Sequence, residues 1–555
     1  MVAPAQATRA RDWVLVAAGY SAAVLLVAWP LPLSLTTAIG GDWGDSTFIA
    51  WTLWWVQEHL LALLQGDAGA WATMWNAPIF APHAGTLAYS EHFLAQGALG
   101  LPVFAATGNP ILVYNLVLLA TLALTGVATH GLTRQLTGSY LAATAAGLIG
   151  TFSDYRFLWS ISHLHALSNG WWLTALWALD RVAETGSARA AVAAAASLSI
   201  FAYSSNYLTA FCAPFTGLFV LWALARRGHL RDRRRWSLIL SVALVNAAAV
   251  VPLMSRYLAM RDGLQFAWSL EAVVGNSANL AAYRAAMPWL GPLLALAAVG
   301  AAAPRRAVPS LTPAARWVLA LLSLLAFLLA MGPAITIGDS AVPGPYLLLQ
   351  RFVPGFEGLR VAHRYVSVAL VFVSVLAGVG VLWLTRSRLG VVAAWVAVAF
   401  GTHTAWSTPF PLDRPLPSQV LAVPPDYLRP APTAPLLYRF VATLPVDAIV
   451  VELPFGDIPY EIRYTYFTAA HRRRILNGYS GVLPPSYEAR RAVLAAPLAN
   501  PDAAWAALAP ATHVVVHDGA WRDDTGPRVR AWLEARGARV AASVAGATLY
   551  ALPAR

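Results

Sequence analysis

Two carboxylates stand three residues apart in "GGDWGDS", Gly40 to Ser46, where Asp42 and Asp45 follow a long apolar segment and precede "TFIAWTLWWVQEHLL". A carboxylate held beside a hydroxyl takes its proton as the oxygen attacks, and two carboxylates together can hold magnesium or manganese through oxygen. Either acid can equally serve structure, by capping the next helix through its free backbone N–H groups or by entering a salt bridge. Asp45 immediately precedes the helical run and is the better placed to cap. Asp42 has no such local duty and is the first choice as a base.

Cations that suit a phosphate lie elsewhere in the chain. Arg360 and Arg364, in "GLRVAHRY", are spaced to share one face of a helix start, and the planar guanidinium grips phosphate oxygens bidentately. Arg156 in "FSDYRF" and Arg284 in "AAYRAAMPW" are secondary candidates. The alternative for all of them is anchorage to lipid headgroups. Glu91 and His92 in "YSEHF", Asp154 beside Arg156, and His163 and His165 in "SISHLHAL" supply further hydrogen-bonding groups. Asp154 can also be no more than the ion-pair partner of Arg156. On a helix the two rings of an H-x-H pair point about 200° apart, so His163 and His165 can share an ion only in extended or loop structure. Cys212, the one cysteine, excludes an internal disulfide and a cysteine-based zinc site.

The elements that must position these residues are set by composition. Of 555 residues, 58% are hydrophobic and 12% charged, the balance of a mostly α, polytopic membrane protein. About eleven windows reach the length of a bilayer-crossing helix: Trp13 to Leu35, Ile111 to Leu132, Tyr140 to Phe157, Leu164 to Leu179, Ala188 to Tyr203, Leu208 to Ala225, Trp236 to Met254, Met287 to Ala302, Trp317 to Ile337, Tyr365 to Leu384 and Leu389 to Trp406. The apolar run at the N-terminus is too long for a signal-peptide core and is read as a retained span.

The net charge of +12 comes from arginine alone, since the chain has no lysine. Arginine-rich short loops stay on the cytoplasmic side, and "ARRGHLRDRRRW" (Ala225 to Trp236) and "APRRAVPSLTPAAR" (Ala303 to Arg316) are such loops. The span count from these anchors places the N-terminus in the cytoplasm and everything after Trp406 outside. The stretch from Asp12 to Thr133 has no arginine but carries Asp42, Asp45, Glu58, Asp67 and Glu91, as an extracytoplasmic first loop (36–110) should. Within it, "FIAWTLWWVQEHLLALL" and "FLAQGALGLPVFAAT" read as helices lying in the membrane interface. The transmembrane domain then covers 1–407, a proline-rich linker 408–435, and a small extracytoplasmic α/β domain 436–555. The strands of that domain are read in "AIVVELP", "HVVVHDG" and "TLYALP", and a helix in "PRVRAWLEARG". No phosphate-binding glycine motif is present, and nothing implies a nucleic acid partner.

With that topology the polar candidates gather at the outward ends of helices. The first-loop acids after span one, the interfacial stretches, "RQLTGSYLAATAAGLIGTFSDYRF" after span two and the outer C-terminal region with "HRRRILNGYSGVLPPSY" (His471 to Tyr487) together resemble the GT-C superfamily, integral membrane glycosyltransferases of which this chain looks like a poorly characterised bacterial member. The resemblance implies a polyprenyl-phosphate sugar as donor and a hydroxyl of a glycan, lipid or protein as acceptor. It assigns the base or metal-ligand role to Asp42 and Asp45 and leaves the metal open. Arg360, Arg364, Arg156 and Arg284 then meet the donor phosphate, and Glu91, His92, Asp154, His163 and His165 the sugar or acceptor. Asn477, Tyr479 and Tyr487 are candidate acceptor contacts if the C-terminal domain presents the glycan. The rival readings are a polytopic lipid or glycan transporter or flippase, and a non-catalytic envelope assembly protein. The absence of an internal repeat and the placing of charges at helix ends weigh against transport.

Overall fold

A backbone inside a bilayer finds no water to bond, so an apolar run of membrane length closes its own hydrogen bonds as a helix. The computed structural model describes residues 10–337, 340–407, 409–416, 429–431, 433–521 and 523–554. In chain order its principal helices are α1 (Ala10–Val27), α2 (Asp45–Leu64), α3 (Leu94–Thr107), α4 (Pro110–Thr137), α5 (Tyr140–Phe152), α6 (Asn169–Thr185), α7 (Ala188–Ala202), α8 (Asn206–Ala225), α9 (Arg233–Leu264), α10 (Leu280–Ala302), α11 (Pro313–Ala330), α12 (Tyr365–Leu384) and α13 (Arg388–Gly401). Every expected span falls on one of these, and α2 and α3 occupy the two amphipathic stretches of the first loop. Seven helical stretches among the described residues are long and apolar enough to cross a membrane. Helix starts follow the capping rule: Ser139, Ser187, Ser205, Asn279, Thr312 and Ser387 each accept a backbone N–H of the first turn.

Four expected spans end early, each for a local reason. The window ending at Leu35 stops at Val27, before Pro30 and Pro32. The window ending at Phe157 stops at Phe152, and the next starts at Asn169 rather than Leu164. The intervening Asp154, Arg156, His163 and His165 are polar, and after a break at Ser153 the chain runs through a π-helical stretch, Arg156–Ser160, and a short helix, Leu164–Leu167. The window ending at Ile337 stops at Ala330, because Gly332 takes φ +81° and Pro333 follows. Strands β1 (Ala334–Ile337) and β2 (Ser340–Pro343) then pair antiparallel. The window ending at Trp406 breaks at Thr402 before a short helix, His403–Ser407.

The chain divides into two compact units. The first takes residues 1–29, 118–255 and 265–410. At its centre α12 is buried from Tyr365 to Val381. Its glycines let backbones meet: a Cβ at Gly378 would strike the Ala142 carbonyl of α5, and one at Gly380 the Leu296 carbonyl of α10. Small residues at such crossings are how apolar helices associate where lipid removes the hydrophobic drive. In the same unit the buried carboxylate of Asp180 pairs with Arg226 and Arg227, each at 2.6 Å.

The second unit takes residues 30–117, 256–264 and 411–555. After α14 (Leu436–Ala442), strand β3 (Ile449–Leu453) enters the middle of a sheet completed by β4 (Arg474–Ile475), β5 (His513–Val516), β6 (Arg539–Val544) and β7 (Ala547–Ala551). The order is β4-β3-β5-β7-β6, with β3 parallel to β4 and β5, and β7 antiparallel to β5 and β6. The three sequence-read strands are β3, β5 and β7, and the expected helix is α18 (Thr525–Ala535), after α15 (Ile458–His471), α16 (Pro485–Leu494) and α17 (Pro501–Ala507). The first loop joins this sheet. Ile475 donates to the Pro78 carbonyl, Ala81 to that of Ile475 and Phe80 to that of Asn477, at 2.9–3.0 Å. Trp51 of α2 donates its indole N–H to Thr468 of α15 at 2.8 Å. The N-terminal nine residues and much of the expected linker lie outside the described residues. The linker's described start, Pro411–Arg414, forms isolated bridges to the acidic loop, Gly40 with Leu412 and Asp42 with Arg414.

Candidate active site

The acidic loop is held from three directions within the second unit. Gly41, at φ +102°, turns the chain where a side chain would be strained. Its N–H donates to the Pro411 carbonyl at 2.7 Å, Arg414 returns a bond to the Gly41 carbonyl at 3.1 Å, and Trp43 donates to the Arg414 carbonyl at 3.0 Å. Asp413 adds its side chain: Oδ1 accepts from the Ile39 N–H at 2.9 Å and from the Trp43 indole at 3.4 Å, and Oδ2 pairs with Arg429 at 2.7 Å. From α4, Asn115 accepts the Gly40 N–H at 2.9 Å and donates to the Leu35 and Ala38 carbonyls.

Within this frame Asp42 and Asp45 are both half-buried. Asp42 Oδ1 accepts the Gly44 N–H at 2.9 Å, closing a tight turn, and its own N–H reaches Ser46 Oγ at 3.3 Å. Gly44 is the N-cap of α2 and makes no side-chain cap, so Asp45 is the first helical residue rather than the cap. Its carboxylate there meets the positive end of the helix dipole, and its Oδ1 accepts the Tyr479 hydroxyl at 2.9 Å. Tyr114 donates to buried Ser46 at 3.0 Å, beneath the pair.

Glu91 and His92 are buried in the same unit. His92 Nδ1 accepts the Leu94 N–H at 3.1 Å, and its ring lies edge-on to Trp75 and Tyr257. Asn477 and Tyr487 are also interior, Asn477 bonded to the backbone of Glu452 and Tyr487 set against Phe80 and Phe455. Of the three candidate acceptor contacts, only Tyr479 reaches an acidic-loop residue through a bond described here.

The cationic candidates belong to the first unit. Arg360 lies in extended chain and Arg364 in a single 3-10 turn before α12, so their spacing of four is not helical there. Each is instead steered by an aromatic face, Arg360 over Trp268 at 4.2 Å and Arg364 over Tyr207 at 4.7 Å. The Tyr207 hydroxyl accepts the Val361 N–H, fixing the segment between the two arginines. Tyr155 donates to the His363 carbonyl and meets its Nδ1, both at 3.1 Å. Arg364 acts electrostatically on Tyr155, His165 and His363, and His163 on His165 and His363.

Arg156 is buried, its guanidinium donating to the Leu167 carbonyl at 3.2 Å. Burial pulls it down to about 10, so it keeps its charge at neutral pH. Its neighbour Asp154 pairs not with it but with His403 at 3.3 Å, and accepts the Thr404 N–H at 3.0 Å. His163 precedes the short helix in non-helical conformation, which brings its ring to 5.9 Å from that of His165, edge to face. Burial, then the charges of Arg364 and His163, hold His165 well below the usual imidazole range, so it is neutral at physiological pH. Arg284 is exposed in the second turn of α10. Among the described residues no three His, Cys, Asp or Glu side chains form a group that could hold a metal ion.

Multiple apolar helices with polar breaks at their ends, a long structured first loop and a C-terminal α/β region define a polytopic membrane protein with the GT-C fold. Solved structures bear this out. The arabinofuranosyltransferase AftD from mycobacteria superposes with a TM-score of 0.59 at 15% identity, over 99% of this chain and 42% of its own length. ArnT from Cupriavidus metallidurans, bound to undecaprenyl phosphate, matches at 0.51 and 12% over 98% of both chains. The archaeal oligosaccharyltransferase AglB from Archaeoglobus fulgidus, in complex with an inhibitory peptide and a dolichol-phosphate, matches at 0.51 and 13% over 91% of this chain and 69% of its own. No protein-family profile and no curated protein sequence matches.

Proposed function

We propose that this chain is a membrane glycosyltransferase that moves a sugar from a polyprenyl-phosphate donor to a hydroxyl of a glycan, lipid or protein on the extracytoplasmic face. The observation that carries the reading is the acidic loop: a half-buried Asp42 on a backbone fixed by Asn115, Asp413 and the Pro411–Arg414 segment. One Asp42 oxygen is bonded within its own turn, and the other has no hydrogen-bond partner among the described residues. Asp42 takes the acceptor proton as the acceptor oxygen bonds to the anomeric carbon. The bond from that carbon to the phosphate oxygen breaks, and its electron pair leaves with the lipid phosphate. A phosphate leaving group needs cations rather than a second carboxyl acid. We assign that role to Arg360 and Arg364, with Arg156 and Arg284 as further candidates. Neutral His165 and its neighbour His163 donate or accept hydrogen bonds toward the sugar. The fold supports this reading through AglB and ArnT, whose structures hold a dolichol-phosphate and an undecaprenyl phosphate.

The test uses the full chain in nanodiscs with undecaprenyl-phosphate hexoses and pentoses, following release of undecaprenyl phosphate in the presence and absence of Mg²⁺ or Mn²⁺. Asp42→Asn and Asp45→Asn, made separately, are expected to be slowed by orders of magnitude while unfolding at the wild-type temperature. Wild-type turnover in both variants would remove the acidic loop from the reaction.

A further inference from the structure

The carboxylate of Asp45 receives a hydroxyl from far along the chain. Tyr479 donates to its Oδ1 at 2.9 Å, and the same ring stands edge-on to Phe48 of α2 with centroids 5.3 Å apart. The phenol is therefore aimed from both ends, by its bond to the carboxylate and by its ring contact.

The two residues before it have little freedom. Asn477, fully buried, accepts the Glu452 N–H at 2.7 Å and donates to the Glu452 carbonyl and to Glu461 Oε1, both at 3.0 Å. Gly478 donates its N–H to Glu461 Oε2 at 2.8 Å, and Gly456 donates to Oε1 at 2.7 Å. The Phe80 ring presses on Gly478 so closely that a Cβ there would come within 2.7 Å. Burying a carboxyl and an amide costs several kcal/mol unless their polar atoms are bonded. Here the bonds they make fix the path of residues 477 and 478 and so set where the next ring points.

We propose that Tyr479 is the positioning residue for Asp45, held by the Asn477–Glu461 pair, and that orienting this carboxylate is what the C-terminal α/β domain contributes to the reaction. The proposal rests on the reading of the acidic loop as the catalytic one. A half-buried carboxylate has several staggered rotamers open to it, and a fixed donor selects one. The C-terminal domain then acts on the chemistry without touching substrate.

The experiment compares the full-length wild type with Tyr479→Phe, Glu461→Gln, the double variant and Asp45→Asn. Amide exchange over residues 42–48 needs no substrate, and turnover is read with undecaprenyl-phosphate hexoses and pentoses. Tyr479→Phe keeps the ring and loses only the hydroxyl. It is expected to speed exchange over 42–48 several-fold and to lower kcat about ten-fold, the usual scale for a hydrogen bond to a charged group. KM for the donor and the unfolding temperature stay at wild-type values. Glu461→Gln shifts both readouts in the same direction, and the double variant is no worse than the more affected single one, as coupled residues behave.

Wild-type exchange and kcat in Tyr479→Phe, with Asp45→Asn silent, would overturn the positioning role and leave the acidic-loop reading standing. A raised KM at unchanged kcat would overturn it too, making Tyr479 a binding contact. Full activity in both Asp42→Asn and Asp45→Asn would overturn the underlying reading itself. If the wild type turns over none of these donors, or if Glu461→Gln does not fold, exchange in Tyr479→Phe decides alone, and unchanged exchange refutes the proposal.

Discussion

Asp42 and Asp45 carry the same group three residues apart, and their surroundings divide them. Among the described residues the Asp42 carboxylate is bonded only within its own turn, to the Gly44 N–H, whereas that of Asp45 is met by Tyr479. General bases contribute about 10²–10⁴-fold, so Asp42→Asn is expected to lower kcat by that factor with little change in donor KM, measured as release of undecaprenyl phosphate. Arg364 presents a guanidinium steered by Tyr207. Arg364→Ala is expected to weaken binding of undecaprenyl phosphate by ten-fold or more, about 1.5–3 kcal/mol for bonds to a charged group. Unchanged affinity in a fluorescence titration would return Arg364 to lipid anchorage. The two acids were readable because residue type, spacing and the surrounding absence of arginine are local properties. Asp413 and Tyr479 were not, because they act on the loop from 374 and 434 positions away. Tyr479 could be named as a contact, but its partner could not.

Helices α5 and α6 show what a hydropathy pattern leaves out at the scale of the element. The windows Tyr140 to Phe157 and Leu164 to Leu179 are apolar enough on average to read as spans. Yet the first breaks at Ser153 and resumes as a π-helical stretch over Arg156–Ser160, an irregularity set beside a carboxylate and a guanidinium that lipid does not hold cheaply. The resulting break carries Arg156, His163 and His165, so the error in the span and the presence of the candidate groups have one cause. The one cap suggested by the sequence, Asp45, is instead the first residue of its helix, while Ser, Thr or Asn side chains cap six others. Two element-scale outcomes are expected. Gly380→Val would drive a branched side chain into the Leu296 carbonyl, costing about 1–3 kcal/mol by overpacking, seen as a lower unfolding temperature in detergent. Asp413→Ala frees the Ile39 N–H, the Trp43 indole and Arg429. It is expected to cost about 1–3 kcal/mol and to raise amide exchange over 39–43 while leaving the first unit's exchange unchanged.

At the scale of the whole chain, the division into two units cuts across the order of the sequence, since residues 30–117 and 411–555 share a unit while 118–255 and 265–410 share the other. Composition announced a polytopic membrane protein and the short buried strands of a C-terminal α/β region. It could not announce that "PIFAP" of the first loop pairs with the segment around β4, because such pairing is non-local backbone bonding with no pattern of its own. The buried groups of this unit also make its stability depend on pH. Burial, aided by Glu452, pushes Glu461 up to about 8 against three N–H donors, and burial pulls His471 down to about 4. Folded Glu461 holds a proton that the unfolded chain releases, so its contribution is present below about 4.5 and lost as pH rises to about 8. Folded His471 stays neutral where the unfolded chain protonates, so its contribution is lost as pH falls from 6.5 toward 4. The two oppose each other between about 4.5 and 6.5, and above 6.5 Glu461 acts alone of the pair. The gap in unfolding temperature between wild type and Glu461→Gln is therefore expected to narrow from pH 6.5 to 8; a constant gap would deny Glu461 its titration in that window.

The bridges from Pro411–Arg414 to the acidic loop carry a further consequence, in the order of synthesis. The first helices emerge with "GGDWGDS" already made, yet the partners of that loop, Asp413, Arg414 and Tyr479, are translated after all thirteen of the helices α1 to α13. A ribosome-bound chain that has exposed only residues 1–410 holds this loop through Asn115 and Tyr114 but without the bonds from Asp413, Arg414 and Tyr479. If the acidic loop is the catalytic one proposed above, competence arrives as one of the last events of biogenesis, and a chain cut short before Tyr479 is expected to insert in the membrane but not to turn over a lipid-linked sugar.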